Sequence, residues 1–232
     1  MIPCGLSLGE ATLKIVEVRT LISKGAYATS GEWLTLKAQI ASAVQGAVWP
    51  PGGSDFAIHP QSGKKSGEGN GVKPLKTETV QALTKGGLDY GKRTKLQQPP
   101  VIGEWVSEVP WPSEGGGPKA GNMDVAYYGT SGKVCLEWET GNISSSHRSL
   151  NKMCMGLMNG TIKAGVLVVP SKSLAQYLTD RVGNIGELEP YMKFWSSAAV
   201  AEGVLEIIVI EHDRTDVNVP KIPKGTDGRA KG

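Results

Sequence analysis

The chain has 232 residues, of which 20% are charged and 39% are apolar. That length is sufficient for a hydrophobic core without metals or disulfides, and the composition excludes a disordered or an integral membrane protein. The formal net charge of +3 argues weakly against a surface that is basic throughout, but it leaves a local basic groove open. We expect one domain over residues 1–232, with a loop-rich region at 51–121 and a core at 121–228.

The cysteines and the N-terminal segment bear on the cellular compartment. Cys4, Cys135 and Cys154 are widely spaced, odd in number and without a CxxC pair, so we expect buried thiols in a reducing environment and no zinc site. The N-terminus has no basic region followed by an apolar one, and no apolar stretch is long enough to span a bilayer. We therefore expect a cytoplasmic protein with no membrane partner.

The first half of the chain has few regular elements. Leu13–Ile22 is an amphipathic stretch, and Leu34–Val48 carries apolar residues at helical spacing. Gly and Pro are concentrated in 51–121, which predicts loops, with one short helix at Thr77–Thr84 and a Trp-containing segment at Glu104–Trp111.

The second half begins with a regular pattern. The compositions of Val125–Tyr128, Val134–Trp138 and Ala164–Val169 are typical of strands. Between the last two strands, apolar residues recur at helical spacing from Leu150 to Met158, and Asn159-Gly160 is a helix stop signal. We expect a parallel strand-helix-strand unit here.

Three further elements follow this unit. We expect a helix at Ser173–Arg181, a shorter one at Glu187–Lys193 and a buried strand at Val204–Ile210. An irregular basic tail ends the chain.

Acidic residues cluster at the end of the first strand of this unit. Glu137 and Glu139 point to the same face of a strand because side chains alternate, and a hairpin across Gly129–Gly132 would bring Asp124 beside them. Three such carboxylates repel one another unless a divalent cation neutralises them, and oxygen ligands suit Mg²⁺. The pattern favours a metal-dependent phosphodiester hydrolase. A solvated sheet surface and a glycosidase carboxylate pair stay open, although an aromatic content of 6% offers few residues for a sugar platform.

A polar loop connects these carboxylates to the following helix. It contains Asn142, Ser144 and Arg148. Its serines are natural helix N-caps, which is a purely structural role. The same residue types at a helix N-terminus also bind phosphate and read bases, since Asn pairs with adenine and Arg with guanine.

At this point the sequence resembles the BamHI family of type II restriction endonucleases. Four blocks carry the resemblance in the same order: EWETGNISSSHRSLNK (137–152), YLTDRV (177–182), ELEPY (187–191) and NVPKIPKGTDG (218–228). The similarity is close from 121 to 228. It is fainter at Val48–Pro50 and Asn70–Pro74.

The resemblance implies a fold and an activity. The fold would be the restriction-endonuclease-like α/β core, a mixed β-sheet flanked by helices. The protein would be a homodimer that hydrolyses double-stranded DNA at the palindrome GGATCC with Mg²⁺, leaving 5′-phosphate ends, and a cognate methyltransferase would belong to the same system. A relaxed enzyme that accepts RGATCY and a catalytically inactive sequence-specific DNA-binding protein are the alternatives.

The resemblance also implies residue roles. Asp124 and Glu137 would bridge two magnesium ions, with Glu108, on a helix in the family, as a ligand of one; Glu104 is the alternative for that position. Glu139 would position or deprotonate the attacking water. The base readers would be Asn142 and Ser144 for the inner A·T pair, Arg148 and Asp227 for the middle G·C pair, and Asp180 and Arg181 for the outer G·C pair. A helix-end salt bridge is the structural alternative for the Asp180-Arg181 dipeptide.

Overall fold

A computed structural model describes residues 13–62, 68–111, 121–139, 141–179 and 182–224. Its main feature is a six-stranded sheet of β1 (Lys14–Lys24), β3 (Trp105–Pro110), β4 (Asn122–Tyr128), β5 (Lys133–Trp138), β6 (Ala164–Pro170) and β7 (Gly203–Glu211). The strand order across this sheet is β1-β7-β6-β5-β4-β3. β5, β6 and β7 run parallel, and the remaining pairs are antiparallel, so the sheet is mixed as expected.

Helices cover both faces of this sheet. They are α1 (Gly31–Gln45), α2 (Lys73–Thr84), α3 (Tyr90–Lys95), α4 (Ile143–Met158), α5 (Lys172–Ala175), α6 (Ile185–Leu188) and α7 (Met192–Ser196). Side chains of α1 and α2 pack on one face with Leu136 and Trp138, whereas those of α4, α6 and α7 pack on the other with Cys135. This alternation along β5 is the period of two that a strand buried on both sides requires.

The central unit β5-α4-β6 agrees with the sequence prediction. β5 pairs with β6 in parallel, and α4 ends at Asn159, where the stop signal stands. The hairpin between β4 and β5 also forms, with the Gly129 amide donating to the Gly132 carbonyl at 3.2 Å. These elements are set by local pattern, which explains why they could be predicted.

Two segments take a form that local pattern did not predict. The amphipathic stretch Leu13–Ile22, whose element type the sequence left open, lies in β1 from Lys14 onward, and β1 is an edge strand with two register shifts against β7. The predicted helix Ser173–Arg181 is wrong after Ala175, because Leu178 instead forms a parallel bridge with Asn70. Residues 180 and 181 lie outside the described part of the chain.

A second, two-stranded sheet holds the C-terminal segment against the first half of the chain. It pairs β2 (Ala57–Ile58) in parallel with β8 (Arg214–Thr215). Beyond β8, the Trp49 indole donates to the Pro220 carbonyl at 2.8 Å. Within the described ranges, no helix has the length and apolarity needed to cross a membrane.

Candidate active site

Asp124 lies on β4 next to the end of β5. Its Oδ2 accepts the Trp138 backbone amide at 2.8 Å, and its Oδ1 accepts from the Lys76 ammonium at 2.5 Å. Lys76 comes from the first turns of α2. Val125 of β4 pairs with Leu136 of β5. The adjacent residue on each strand places Asp124 opposite Glu137. The hairpin therefore brings two acidic residues together that are distant in sequence.

Glu137 is buried on β5, with 7% of its surface exposed. Its Oε1 accepts from the Lys152 ammonium of α4 at 2.8 Å, and Lys152 is itself buried, with its ammonium 5.5 Å from the centre of the Trp111 ring. Burial and the neighbouring Asp124 charge raise the pKa of Glu137, and Lys152 opposes this shift. The carboxylate and the ammonium thus offset each other's burial.

Glu139 follows the last residue of β5 and is 3% exposed. Its Oε1 accepts the Gly141 amide at 2.6 Å, and its Oε2 accepts from the Ser146 hydroxyl. Burial raises the pKa of Glu139 to about 8, although the Gly141 amide works in the opposite direction. This carboxyl group can therefore exchange a proton near neutral pH.

The acidic residues share one open cavity of about 490 Å³. Its lining combines the three carboxylates with basic and polar side chains: Lys76, Asn122, Asp124, Glu137, Glu139, Ser145, Arg148, Ser149 and Lys152. The cavity lies where β4 and β5 meet the N-terminal half of α4. Anionic and cationic groups together suit a ligand that carries phosphate and is bound with the help of a cation.

The sequence matches the family model for restriction endonuclease BamHI over residues 13–229. The chain belongs to the BamHI family. It is 39% identical over 220 residues to the type II restriction enzyme OkrAI of Oceanobacter kriegii, covering 94% of this chain and 99% of that relative. It is 47% identical over 100 residues to the type II restriction enzyme BamHI of Bacillus amyloliquefaciens, which covers 43% of this chain and 44% of that relative. This BamHI-family member is thus a type II restriction endonuclease that hydrolyses double-stranded DNA.

Enzymes of this class generally use Mg²⁺. Within the described ranges, no three His, Cys, Asp or Glu side chains stand close enough together to hold a metal ion as they are. The donor chemistry nevertheless fits, because Asp124 and Glu137 present carboxylate oxygens, which Mg²⁺ prefers. Lys76 and Lys152 supply positive charge at these same oxygens.

Of the two candidates for the upstream acidic residue, Glu108 lies within β3 and Glu104 lies just before it. Ser107 pairs with Val125 and Val109 with Met123, so Glu108 is level with Asp124. The expected helix is wrong, because Glu108 stands in a strand with a φ of 54°, a left-handed conformation that disrupts the pairing. Its exposed carboxylate accepts from Asn122 at 3.3 Å and does not line the cavity. Glu104 precedes β3 and accepts from Arg93 at 2.8 Å.

The predicted base readers near α4 lie beside the carboxylates. Asn142 caps the helix by accepting the Ser145 amide, and both Asn142 and Ser144 are exposed. Arg148 is exposed one turn later and lines the cavity. The predicted readers Asp180, Arg181 and Asp227 lie outside the described residues.

Sequence reasoning missed the two lysines of the site. Lys152 carried a usable signal, since helical spacing puts it on the same face of α4 as Arg148 and Ser149. Lys76 carried none, because its contact with Asp124 spans 48 residues of sequence.

Proposed function

We propose that this enzyme is specific for GGATCC and cuts it in a Mg²⁺-dependent reaction that leaves 5′-phosphate ends. The observation that carries the proposal is the cavity that Asp124, Glu137 and Glu139 share with Arg148. Reacting groups and a candidate base reader meet there, as an enzyme that couples sequence recognition to phosphodiester cleavage requires.

In this proposal, Asp124 and Glu137 would hold Mg²⁺, and Glu108, which lies outside the cavity in the metal-free protein, would be the further ligand. The register of β3 and β4 supports Glu108 over Glu104, since Glu108 is level with Asp124 whereas Glu104 precedes β3. When bound, Mg²⁺ lowers the pKa of a water molecule and stabilises negative charge on phosphate oxygens. Lys76 and Lys152 act as counter-charges for Asp124 and Glu137 in the metal-free protein.

Glu139 orients the attacking water and accepts its proton. The Gly141 amide and the Ser146 hydroxyl fix the direction of the carboxylate. Its raised pKa of about 8 supports this role, because a general base works best when its pKa lies near the working pH. The water oxygen forms a bond to phosphorus as Glu139 takes its proton, the bond from phosphorus to the 3′ oxygen breaks, and the 3′ oxygen takes up a proton from solvent water.

The proposed recognition follows the palindrome from its centre outward. Asn142 and Ser144 read the inner A·T pair, and their exposure at the N-terminus of α4 supports this assignment. The middle G·C pair is read by Arg148 and Asp227, and the outer G·C pair by Asp180 and Arg181. An acidic residue can accept from cytosine while an arginine donates to guanine, which covers both bases of a pair.

We also propose that the enzyme acts as a homodimer, because a palindrome presents two equivalent half-sites. A candidate interface lies on α4 and α7, which pack through the ring contact between His147 and Trp195 at 5.3 Å. Large apolar side chains of these two helices are exposed, including Met155 of α4 (59%) and Phe194 of α7 (71%). A methyltransferase with the same specificity completes the proposed system.

A plasmid with one GGATCC site tests the proposal. Wild type should linearise it with Mg²⁺ and leave it intact with EDTA. Glu137→Gln should bind a GGATCC duplex specifically without cutting it, because the amide oxygen still accepts from Lys152 while the charge is lost. Cleavage of AGATCT by wild type would indicate the relaxed RGATCY specificity. Specific binding without cleavage by wild type would indicate an inactive DNA-binding protein.

A further inference from the structure

Residues Gly69, Asn70 and Gly71, called here the central clip, join two distant segments of the chain. Asn70 is completely buried. Its side-chain amide donates to the Tyr177 carbonyl at 2.8 Å and to the His59 carbonyl at 2.9 Å, and the Thr179 amide donates to the Asn70 carbonyl at 2.9 Å. One residue thereby fixes the backbone on both sides of Leu178.

The same residue also holds the C-terminal segment. The Ile222 amide donates to Asn70 Oδ1 at 3.0 Å, and the Gly71 amide donates to the Ile222 carbonyl at 2.9 Å. Ile222 is buried, with 1% of its surface exposed. The side-chain amide of Asn70 therefore holds the segment at Tyr177 and the His59 backbone through its nitrogen, and the C-terminal segment through its oxygen.

The glycines of the clip allow the backbones to approach closely. A Cβ atom at Gly69 would lie 2.4 Å from the Leu178 carbonyl oxygen, and one at Gly71 would lie 2.2 Å from the Pro223 carbonyl oxygen. Both distances are far below van der Waals contact with backbone, which cannot move aside as a flexible side chain can. Each glycine thus controls the approach of one segment only.

The two segments lead directly to proposed base readers. Asp180 and Arg181 follow Thr179, and Asp227 comes three residues after Lys224. We propose that the central clip positions these readers, so that Asn70, Gly69 and Gly71 determine discrimination at the outer and middle G·C pairs without touching DNA. This inference rests on the proposed function. The inner A·T pair is coupled to the clip less directly: Asn142 caps α4 and Ser144 lies in it, and the Gly183 amide, which follows the outer readers, donates to the Gly141 carbonyl at 3.1 Å.

Gly69→Ala and Gly71→Ala separate the two arms of the clip. Cleavage and metal-free binding are measured on GGATCC and on duplexes with the outer (AGATCT), middle (GAATTC) or inner (GGTACC) pair replaced. Gly69→Ala should reduce discrimination against AGATCT by about tenfold, the scale of one good base contact, and reduce discrimination against GGTACC clearly less. Gly71→Ala should reduce discrimination against GAATTC by about tenfold, again with a clearly smaller effect on GGTACC. Gly31→Ala is the matched control, since a Cβ there meets nothing within 4 Å.

Asn70→Asp tests the clip with a side chain of the same size. It retains the acceptor for Ile222 but loses the two donations to the Tyr177 and His59 carbonyls. Discrimination against AGATCT should therefore fall by about tenfold, while discrimination against GAATTC stays at the wild-type level. If a glycine variant fails to fold in a thermal melt, this variant decides the question for the outer pair.

The outcomes separate this inference from the proposed function. A loss of discrimination at one base pair, in a variant that folds, supports the conclusion that the clip positions the readers of that pair. Equal losses at all three pairs, or unchanged ratios beside a discriminating wild type, overturn the inference alone. A wild type that cuts all four duplexes equally overturns the proposed specificity and the inference with it.

Discussion

Lys152→Met removes the positive charge that compensates the buried Glu137 carboxylate. The ammonium and the carboxylate oxygen are 2.8 Å apart, and at an effective dielectric constant of about 20 their attraction is about 6 kcal/mol. Much of this attraction offsets desolvation, so loss of one partner of such a buried pair costs about 3–5 kcal/mol. Methionine fills a similar volume, which confines the perturbation to charge.

The cost of Lys152→Met should depend on pH. Without the ammonium, the pKa of Glu137 rises further above its usual value, because burial and the Asp124 charge stay while the main opposing group, Lys152, is gone and Lys76 opposes them more weakly. A carboxyl group whose folded pKa exceeds its unfolded pKa stabilises the fold at low pH, and that stability is lost as the pH rises through the folded pKa. The variant should lose about 3 kcal/mol at pH 8 and clearly less at pH 5.5, where Glu137 takes up a proton.

Urea unfolding in EDTA at these two pH values measures the effect. The double variant Glu137→Gln/Lys152→Met should recover most of the lost stability, since it contains neither unpaired charge. Equal stability of Lys152→Met and wild type at pH 8, or a coupling energy below about 0.5 kcal/mol in the double-mutant cycle, would refute the reasoning.

Three further predictions concern other parts of the enzyme. In EDTA, the melting temperature of wild type should fall as the pH rises from 5 to 9, because the Glu139 pKa is raised to about 8. Glu139→Gln should flatten this pH profile. If its melting temperature falls as steeply with pH as that of wild type, Glu139 is not the group responsible. Arg148→Ala should lose about 1–3 kcal/mol of discrimination between GGATCC and GAATTC, measured as kcat/KM ratios, whereas an unchanged ratio excludes Arg148 as a reader. Phe194→Glu should yield monomers in sedimentation experiments and Phe194→Leu should not; dimers in both variants exclude this face as the interface.

The sequence predicted the elements that depend on local pattern. The period of α4 and its stop at Asn159, together with the apolar strands on each side, were sufficient to predict the parallel unit β5-α4-β6. The fold class and the enzyme class are confirmed by the observed sheet and the family match. The same strand pattern and hairpin predicted that Asp124, Glu137 and Glu139 lie together, and their catalytic roles stay a prediction.

Contacts between distant residues escaped the sequence analysis. The predicted helix Ser173–Arg181 fails because Asn70 offers backbone partners to Leu178 and Thr179, which local periodicity cannot reveal. The Lys76–Asp124 pair depends on how α2 approaches the sheet. Glu108 was expected on a helix, yet its strand and its positive φ depend on pairing with β4.

Sequencing of the ends produced from a large natural DNA tests the central claim most directly. The purified enzyme digests the DNA with Mg²⁺, and the ends of all fragments are ligated and sequenced without prior phosphorylation. We predict that every junction reconstructs GGATCC and that the ends ligate directly, because they carry 5′-phosphates. Junctions at AGATCT or at unrelated sequences, or an undigested DNA, would contradict it.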